Sequence, residues 1–120
     1  MKKIFTIIGI LFSVSLFAQS GDAVVNSLKE GSASKFCSYF SNNVDIKFPQ
    51  KDEMKSVSKA DASSAVSAFF TSNNIIGIDV TSQREMSGTM YIAGKLKGGS
   101  QNYNITVMLK NGAVITVRIG

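Results

Sequence analysis

Apolar residues in the first half of the chain recur three or four positions apart, which is the spacing of one helix face. This pattern predicts helices over residues 22–30, 32–41 and 58–72. Gly31 is a typical stop for the first helix, and Ser58 is a good N-cap for the third.

The residues between the second and third helices follow a different pattern. Apolar and charged side chains alternate over residues 44–48, which predicts a half-buried strand with its apolar side toward the helices. Pro49 closes this strand, and residues 50–55 are predicted to form a charged loop.

The second half of the chain has a period of two. Four strands are predicted, over residues 75–81, 90–96, 103–109 and 113–119. The turns between them are predicted at Ser87-Gly88, Gly98-Gly99 and Asn111-Gly112. The Asn-Gly pair is the strongest of these signals, because both positions of a tight hairpin turn accept positive φ.

Helices gathered ahead of an antiparallel meander predict an α+β fold, with the helices on one face of a curved sheet. Successive side chains of a strand point to opposite faces, so the apolar positions form the helix-facing rows. These rows are predicted to contain Val44, Ile46, Phe48, Ile76, Ile78, Val80, Met90, Ile92, Leu96, Tyr103, Ile105, Val107, Leu109, Ile115, Val117 and Ile119. Because none of these side chains is charged, general acid–base catalysis inside the fold lacks its usual groups. An enzyme would need a loop carboxylate, such as Asp52 or Glu53, to fold over the mouth.

The first twenty residues have the pattern of a secretory signal peptide. Lys2 and Lys3 form a positively charged start, and residues 4–17 are almost wholly apolar. A stretch of about 14 residues is too short to cross a bilayer as a helix. The small residues Ala18 and Ser20 could each precede the cleavage site. We therefore expect a signal peptide over residues 1–20 and a periplasmic or secreted mature protein without a stable membrane anchor.

Residues 21–120 have the composition of a single domain, since the chain is 44% hydrophobic and contains one Pro. Without Lys2 and Lys3, eleven of the thirteen basic residues remain against eight acidic ones, and the lysines form no run. Scattered lysines disfavour a nucleic-acid partner. The chain has no His and one cysteine, Cys37, which disfavours a metal site and a nucleophilic thiol. No cofactor is expected.

Several short segments occur in a characteristic order along the chain. They are Leu16-Phe17-Ala18-Gln19, Leu28-Lys29-Glu30-Gly31, Asn43-Val44-Asp45, Phe69-Phe70, Ile92-Ala93-Gly94-Lys95-Leu96, and Asn111-Gly112 before a strand ending Arg118-Ile119. In this order the mature chain is similar to a small secreted bacterial family, the domain of unknown function number 4783. Its elements also resemble the cone-shaped α+β fold of the nuclear transport factor two-like superfamily. The resemblance implies three helices, with a short strand before the third, packed on a curved antiparallel sheet whose last four strands form a meander. It implies no activity, because the family's function is uncharacterised.

Members of that superfamily commonly enclose a pocket between the helices and the concave sheet face. Tyr103 carries the one polar side chain of the predicted inward rows, so its hydroxyl could orient a small apolar ligand. Phe40, Phe69 and Phe70 would line the same pocket. A tyrosine at the core edge and ordinary core phenylalanines have the same pattern, and both interpretations stay open.

The outer sheet face is a candidate interface. Tyr91, Met108 and Val114 would form an apolar patch if the strands pair in sequence order, and Arg118 lies beside it. Tyr and Arg are enriched at interfaces, and superfamily members often dimerise through this face. A solvated face and a homodimer interface both agree with the pattern.

Three functions are therefore considered. The preferred one is an exported, non-catalytic binding or interaction module, which forms a homodimer or engages another periplasmic or extracellular protein. The first alternative is a carrier of a small apolar ligand, which would need a cavity in the usual range of some 300–1,000 Å³. The second and disfavoured alternative is an isomerase-like enzyme, which would need an inward carboxylate with a raised pKa.

Overall fold

The computed structural model describes residues 16–120, with side chains from residue 21 onward. Most of the predicted signal peptide, residues 1–15, lies outside the described residues. The described part contains three helices and six strands: α1 (Leu16–Lys29), α2 (Ala33–Cys37), β1 (Phe40–Lys47), β2 (Met54–Ser58), α3 (Lys59–Ser72), β3 (Gly77–Met86), β4 (Thr89–Lys97), β5 (Asn102–Lys110) and β6 (Ala113–Ile119). Within this range no helix combines the length and the apolar character that a membrane span requires.

The six strands form one sheet in the order β2-β1-β6-β5-β4-β3. Strands β3 to β6 are the antiparallel meander that the sequence predicts. Strand β1 lies parallel to β6 and antiparallel to β2. The sheet is therefore mixed rather than purely antiparallel, because β1 pairs with the free edge that the last strand of the meander presents.

The helices pack on one face of this sheet, which confirms the predicted α+β class. Helix α1 contacts β3 and β4, and α3 contacts β1. The core between the layers includes Leu28, Phe36, Val66, Ile46, Ile92, Leu96, Ile105 and Val107, all less than 3% exposed. Most of the predicted helix-facing rows supply the sheet side of this core.

The second helix is shorter and the first strand longer than predicted. The backbone N–H of Ser38 donates to the carbonyl oxygens of Ser34 and Lys35, and α2 ends at Cys37. The carbonyl of Tyr39 then accepts a 2.7 Å hydrogen bond from the N–H of Val114, which draws the chain onto β6. Phe40 consequently opens β1 instead of lying on a helix.

Strand β2 lies partly where a charged loop was predicted. It pairs with β1 through Val57 opposite Val44, and the backbone N–H of Ser56 donates to Oδ1 of Asp45 at 2.8 Å. Its side chains are mostly exposed. An edge strand of this kind is stabilised by backbone pairing, so its sequence shows little apolar alternation.

Ile76 does not face the helices as predicted. Asn74 has φ 49, and β3 begins only at Gly77. Ile75 therefore takes the buried place at 7% exposure, whereas Ile76 is 68% exposed.

Val114 is also placed differently from its prediction as an interface residue. Leu109 pairs with Val114 and Met108 pairs with Thr116, so Ile115 is an extra residue in β6. Such a bulge reverses the side-chain alternation on one side of it. Val114 is consequently fully buried in the core, and the prediction that it belongs to an exposed patch is wrong.

Candidate ligand-binding cleft

An open cleft of about 610 Å³ lies between the C-terminal half of α3, the segment joining β1 to β2, and the start of β5. Its lining residues are Phe48, Pro49, Gln50, Lys51, Met54, Ala65, Ala68, Phe69, Ser72, Asn73, Gln101 and Tyr103. Small-molecule sites commonly have this volume.

Three aromatic rings form the floor of the cleft. The rings of Phe48 and Phe69 stack with centroids 5.3 Å apart and an angle of 25°. Phe69 and Tyr103 meet edge to face at 5.1 Å and 70°. Phe48 is buried, whereas Phe69 and Tyr103 are half-buried. The cleft therefore has an aromatic surface that remains accessible at Phe69 and Tyr103.

The Tyr103 hydroxyl is held by the amides beside it. It donates to Oδ1 of Asn73 at 2.8 Å and accepts from Nε2 of Gln101 at 2.8 Å. Asn73 in turn donates from Nδ2 to the carbonyl of Phe69 at 2.9 Å. The hydroxyl hydrogen is thus engaged, and the ring is fixed against the end of α3.

The C-terminal end of α3 positions the hydrogen bonds around the Tyr103 hydroxyl. The Ser58 hydroxyl accepts from the N–H of Asp61 at 3.2 Å, so the predicted N-cap is confirmed. Asn73 is the C-cap, and its N–H donates to the carbonyl of Phe69 at 3.1 Å. The helix therefore ends one turn beyond Phe69, at the mouth of the cleft.

The β4–β5 turn docks onto this helix end. The N–H of Gly99 donates to the carbonyl of Asn73 at 3.0 Å, and the N–H of Gly98 donates to the carbonyl of Gln101 at 3.1 Å. A Cβ at Gly98 would collide with that Gln101 carbonyl oxygen. The turn thereby carries Gln101 over the Tyr103 hydroxyl.

The segment from β1 to β2 forms the opposite wall. Pro49 and Gln50 are the central residues of a turn in which Gln50 has φ 61 and the N–H of Lys51 donates to the carbonyl of Phe48 at 3.2 Å. Pro followed by a residue of positive φ is the pattern of a type II turn. Further along, Glu53 accepts hydrogen bonds of 3.2 and 3.3 Å from Arg118 of β6. The segment is therefore tied at its far end to the sheet.

The structure brings two of the four predicted ligand-binding residues to the cleft, Phe69 and Tyr103. Phe40 and Phe70 lie elsewhere, at 4% exposure each. Both contact Phe36, with centroids 5.2 and 6.2 Å apart. Phe70 follows Phe69 by about 100° around α3 and so faces α2 and the core. The prediction that Phe40 and Phe70 line the pocket is corrected accordingly.

Sequence reasoning missed the residues that complete the cleft. Asn73 follows the predicted end of the third helix at residue 72, and Phe48 is predicted only to face the core. Gln101 and Lys51 carry no sequence signal of their own. Their placement depends on how the turns fold back against α3.

The cleft contains little that could perform acid–base chemistry. Lys51 is the only charged side chain among the lining residues. Across residues 21–120 the buried polar side chains are Ser27 and Thr116, and no carboxylate is buried. Glu85 pairs with Met90 on the helix-facing side of β3, but it is exposed and lies outside the cleft. In the described part of the chain, no group of three or more potential metal ligands occurs.

The outer sheet face carries the remaining predicted interface residues. In register across five strands lie Asp45, Thr116, Met108, Tyr91 and Arg84. We call this set the outer row. Met108 and Tyr91 are half-buried neighbours near its centre, and its two ends carry opposite charges. Arg118 lies in the adjacent row, exposed and paired with Glu53 at 3.2 Å.

Comparisons with known proteins agree with this fold. The family model described as a domain of unknown function (DUF4783) matches residues 21–119. A DUF4783 family protein from Bacteroides ovatus has a TM-score of 0.73 and 26% identity, covering 81% of this chain and 90% of that one. One from Bacteroides uniformis has a TM-score of 0.73 and 20% identity, covering 82% and 93%.

More distant structures share the same architecture. An NTF-2 like protein of unknown function from Burkholderia xenovorans has a TM-score of 0.67 and 9% identity, covering 91% of this chain and 84% of that one. No curated protein matches the chain. These similarities confirm the expected family and its likeness to nuclear transport factor two-like proteins.

Proposed function

Since the chain belongs to the DUF4783 family, a family of unknown function, we propose a role from its geometry: an exported, non-catalytic binding module that holds a small apolar ligand in the cleft over Phe69 and Tyr103.

The accessible aromatic floor supports this proposal most directly. The cleft volume of about 610 Å³ suits a ligand of one or two rings. Burying aromatic faces against a flat ligand would stabilise the complex through apolar contact and ring–ring packing. The Tyr103 hydroxyl is already bonded to Asn73 and Gln101, so the ring meets the ligand as a preformed surface.

The proposal that this site performs no catalysis follows from its side chains. An isomerase-like reaction needs a base and an acid placed within reach of one substrate. The lining residues include one lysine and no carboxylate. Export is proposed from the signal-peptide pattern of residues 1–20.

Two alanines of α3 allow a matched test of ligand binding. Ala68 lines the cleft, whereas Ala60 is exposed on the same helix outside it. A set of one- and two-ring apolar compounds would be screened by ¹H–¹⁵N correlation spectra of residues 21–120. We expect shifts at Phe69, Asn73 and Tyr103, lost in Ala68→Phe and retained in Ala60→Phe. Binding that survives Ala68→Phe unchanged would contradict the proposed site.

The outer row favours a second candidate function, homodimerisation. A two-fold axis parallel to β5 and passing beside Met108 would pack the sheets of two copies face to face, with their strands nearly aligned. Asp45 and Arg84 lie four strands apart, roughly 19 Å from the strand spacing. The same axis would place Asp45 of one copy opposite Arg84 of the other, while Met108 and Tyr91 form the apolar centre. The occupant that this face fits is therefore a second copy of the chain.

A further inference from the structure

The polar groups of the cleft indicate which charged or polar group its ligand should carry. Lys51 is the only charged residue in the lining, and across residues 21–120 it forms no ion pair. Two carboxylates follow Lys51 in the chain. Glu53 is engaged by Arg118 at 3.2 Å, and Asp52 is exposed and is not among the lining residues. A cationic ligand in the cleft would therefore meet the Lys51 ammonium, with no carboxylate in the lining to compensate it.

The hydrogen-bonding groups of the cleft that are not already engaged also disfavour a cationic ligand. The Tyr103 hydroxyl hydrogen is used on Asn73, and the carbonyl of Phe69 already accepts from both the backbone N–H and Nδ2 of Asn73. Hydrogens remain on the Lys51 ammonium, on the Gln50 amide and on the Ser72 hydroxyl. The Gln50 amide and the Ser72 hydroxyl can also accept, so the Lys51 ammonium is the one group of these three that only donates, and it favours a ligand group that accepts hydrogen bonds.

We propose that the cleft selects carboxylic acids with a flat apolar body, the ring lying over Phe69 and Tyr103 and the carboxylate meeting Lys51. This inference rests on the proposed ligand-binding function and adds the chemical class of the ligand. A carboxylate accepts only, and its charge complements the single cation of the rim.

Three probes of one shape test this class: 1-naphthylacetate, the neutral 1-naphthylacetamide, and the cationic 2-(1-naphthyl)ethylamine. Dissociation constants would be measured by ¹H–¹⁵N titration at low salt. Exposed ion pairs are modest, so we expect the acid to bind about two- to fivefold more tightly than the amide, and the amine most weakly. The preference for the acid should shrink in 0.5 M salt, where screening is strong.

Two lysines of the same segment provide the variant and its control. Lys51→Gln should remove the preference for the acid, so that the acid and the amide bind this variant with equal affinity. Lys55→Gln should leave the preference intact, because Lys55 is exposed and does not line the cleft.

The outcomes separate the two proposals. Equal binding of acid and amide to the wild type, or a preference that survives Lys51→Gln, would overturn the carboxylate inference and leave ligand binding standing. If none of the naphthyl probes and no compound of the wider screen shifts the cleft resonances, the proposed function itself fails, and the inference fails with it.

Discussion

The Tyr103 hydroxyl donates a 2.8 Å hydrogen bond to Oδ1 of Asn73, thirty positions earlier in the chain. This contact joins the start of β5 to the residue that caps α3. The helix end and the sheet are therefore joined to each other at the floor of the cleft.

Tyr103→Phe should reduce the free energy of unfolding by about 1 kcal/mol, the typical net value of an intramolecular hydrogen bond. Tyr91→Phe is the control, because Tyr91 is also half-buried and its hydroxyl makes no hydrogen bond to residues 21–120. Urea unfolding of the two variants and the wild type would measure the difference. Equal stability of the two variants would show that the Tyr103–Asn73 bond contributes nothing.

Two adjacent isoleucines should respond in opposite ways to the same substitution. Ile75 is 7% exposed and Ile76 is 68% exposed. Ile75→Ala should cost about 2–4 kcal/mol through lost burial and the cavity left behind, whereas Ile76→Ala should stay within about 0.5 kcal/mol of the wild type. Thermal or urea unfolding checks both. A larger loss at Ile76 would mean that β3 begins in the register that the alternation predicted.

Ionisation of the Cys37 thiol should lower the free energy of unfolding at alkaline pH. Burial raises the pKa of its thiol, and Sγ lies 3.7 Å from the carbonyl of Ser63. The folded state therefore keeps the proton to higher pH than the unfolded state does. The stabilisation is fully present below the unfolded pKa of about 8.5 and is lost as the pH rises through the folded pKa.

The measurement compares unfolding free energies of the wild type and Cys37→Ala between pH 7 and 10. We expect a constant difference up to about pH 8 and a steeper decline of the wild type above it. Other titrating groups are shared by both proteins and cancel in the difference. Parallel curves over the whole range would contradict the assigned shift.

Met108→Glu should abolish self-association if the outer row is a dimer interface, because it places charge at the centre of the two-fold contact. Arg84→Glu should weaken association by placing like charge opposite Asp45 of the second copy. Lys29→Glu is the control, since Lys29 is exposed at the end of α1, away from this face. Light scattering after size exclusion gives the masses. A monomeric wild type at high concentration would rule out the dimer.

Expression of the full chain in a bacterium tests the predicted export. We expect a periplasmic or secreted product whose N-terminus follows Ala18 or Ser20, read by intact mass. Ala18→Asp would block cleavage after residue 18, and Ser20→Asp would block cleavage after residue 20, because the processing enzyme requires a small residue before the cut. A full-length product in the cytoplasm would contradict the signal-peptide prediction.

The periodic elements were predictable because the side chains themselves carry their signal. The capped helix α3 ends at Ser72, as predicted, and the hairpin turn at Asn111-Gly112 has φ 54 and 80. In both cases a local residue preference and the global fold agree. The meander followed from the same alternation.

The errors arise where a backbone irregularity shifts the alternation or where pairing replaces burial. The extra residue Ile115 turns the Val114 side chain into the core. The pattern of apolar and polar side chains does not predict this bulge. Strand β2 is recognised only through its pairing with β1. The cleft residues Lys51 and Gln101 could not be found for a related reason, since turns far apart in sequence bring them to α3.

The parallel pairing of β1 with β6 ties the beginning of the domain to its end. This pairing cannot form before residues 113–119 are available, so the β1–β2 hairpin has no partner strand until the last strand of the domain has formed. Contacts between such distant segments slow folding. A chain truncated before Ala113 would expose the inner edges of both β1 and β5 at once, and we expect it to aggregate rather than to fold as a smaller domain.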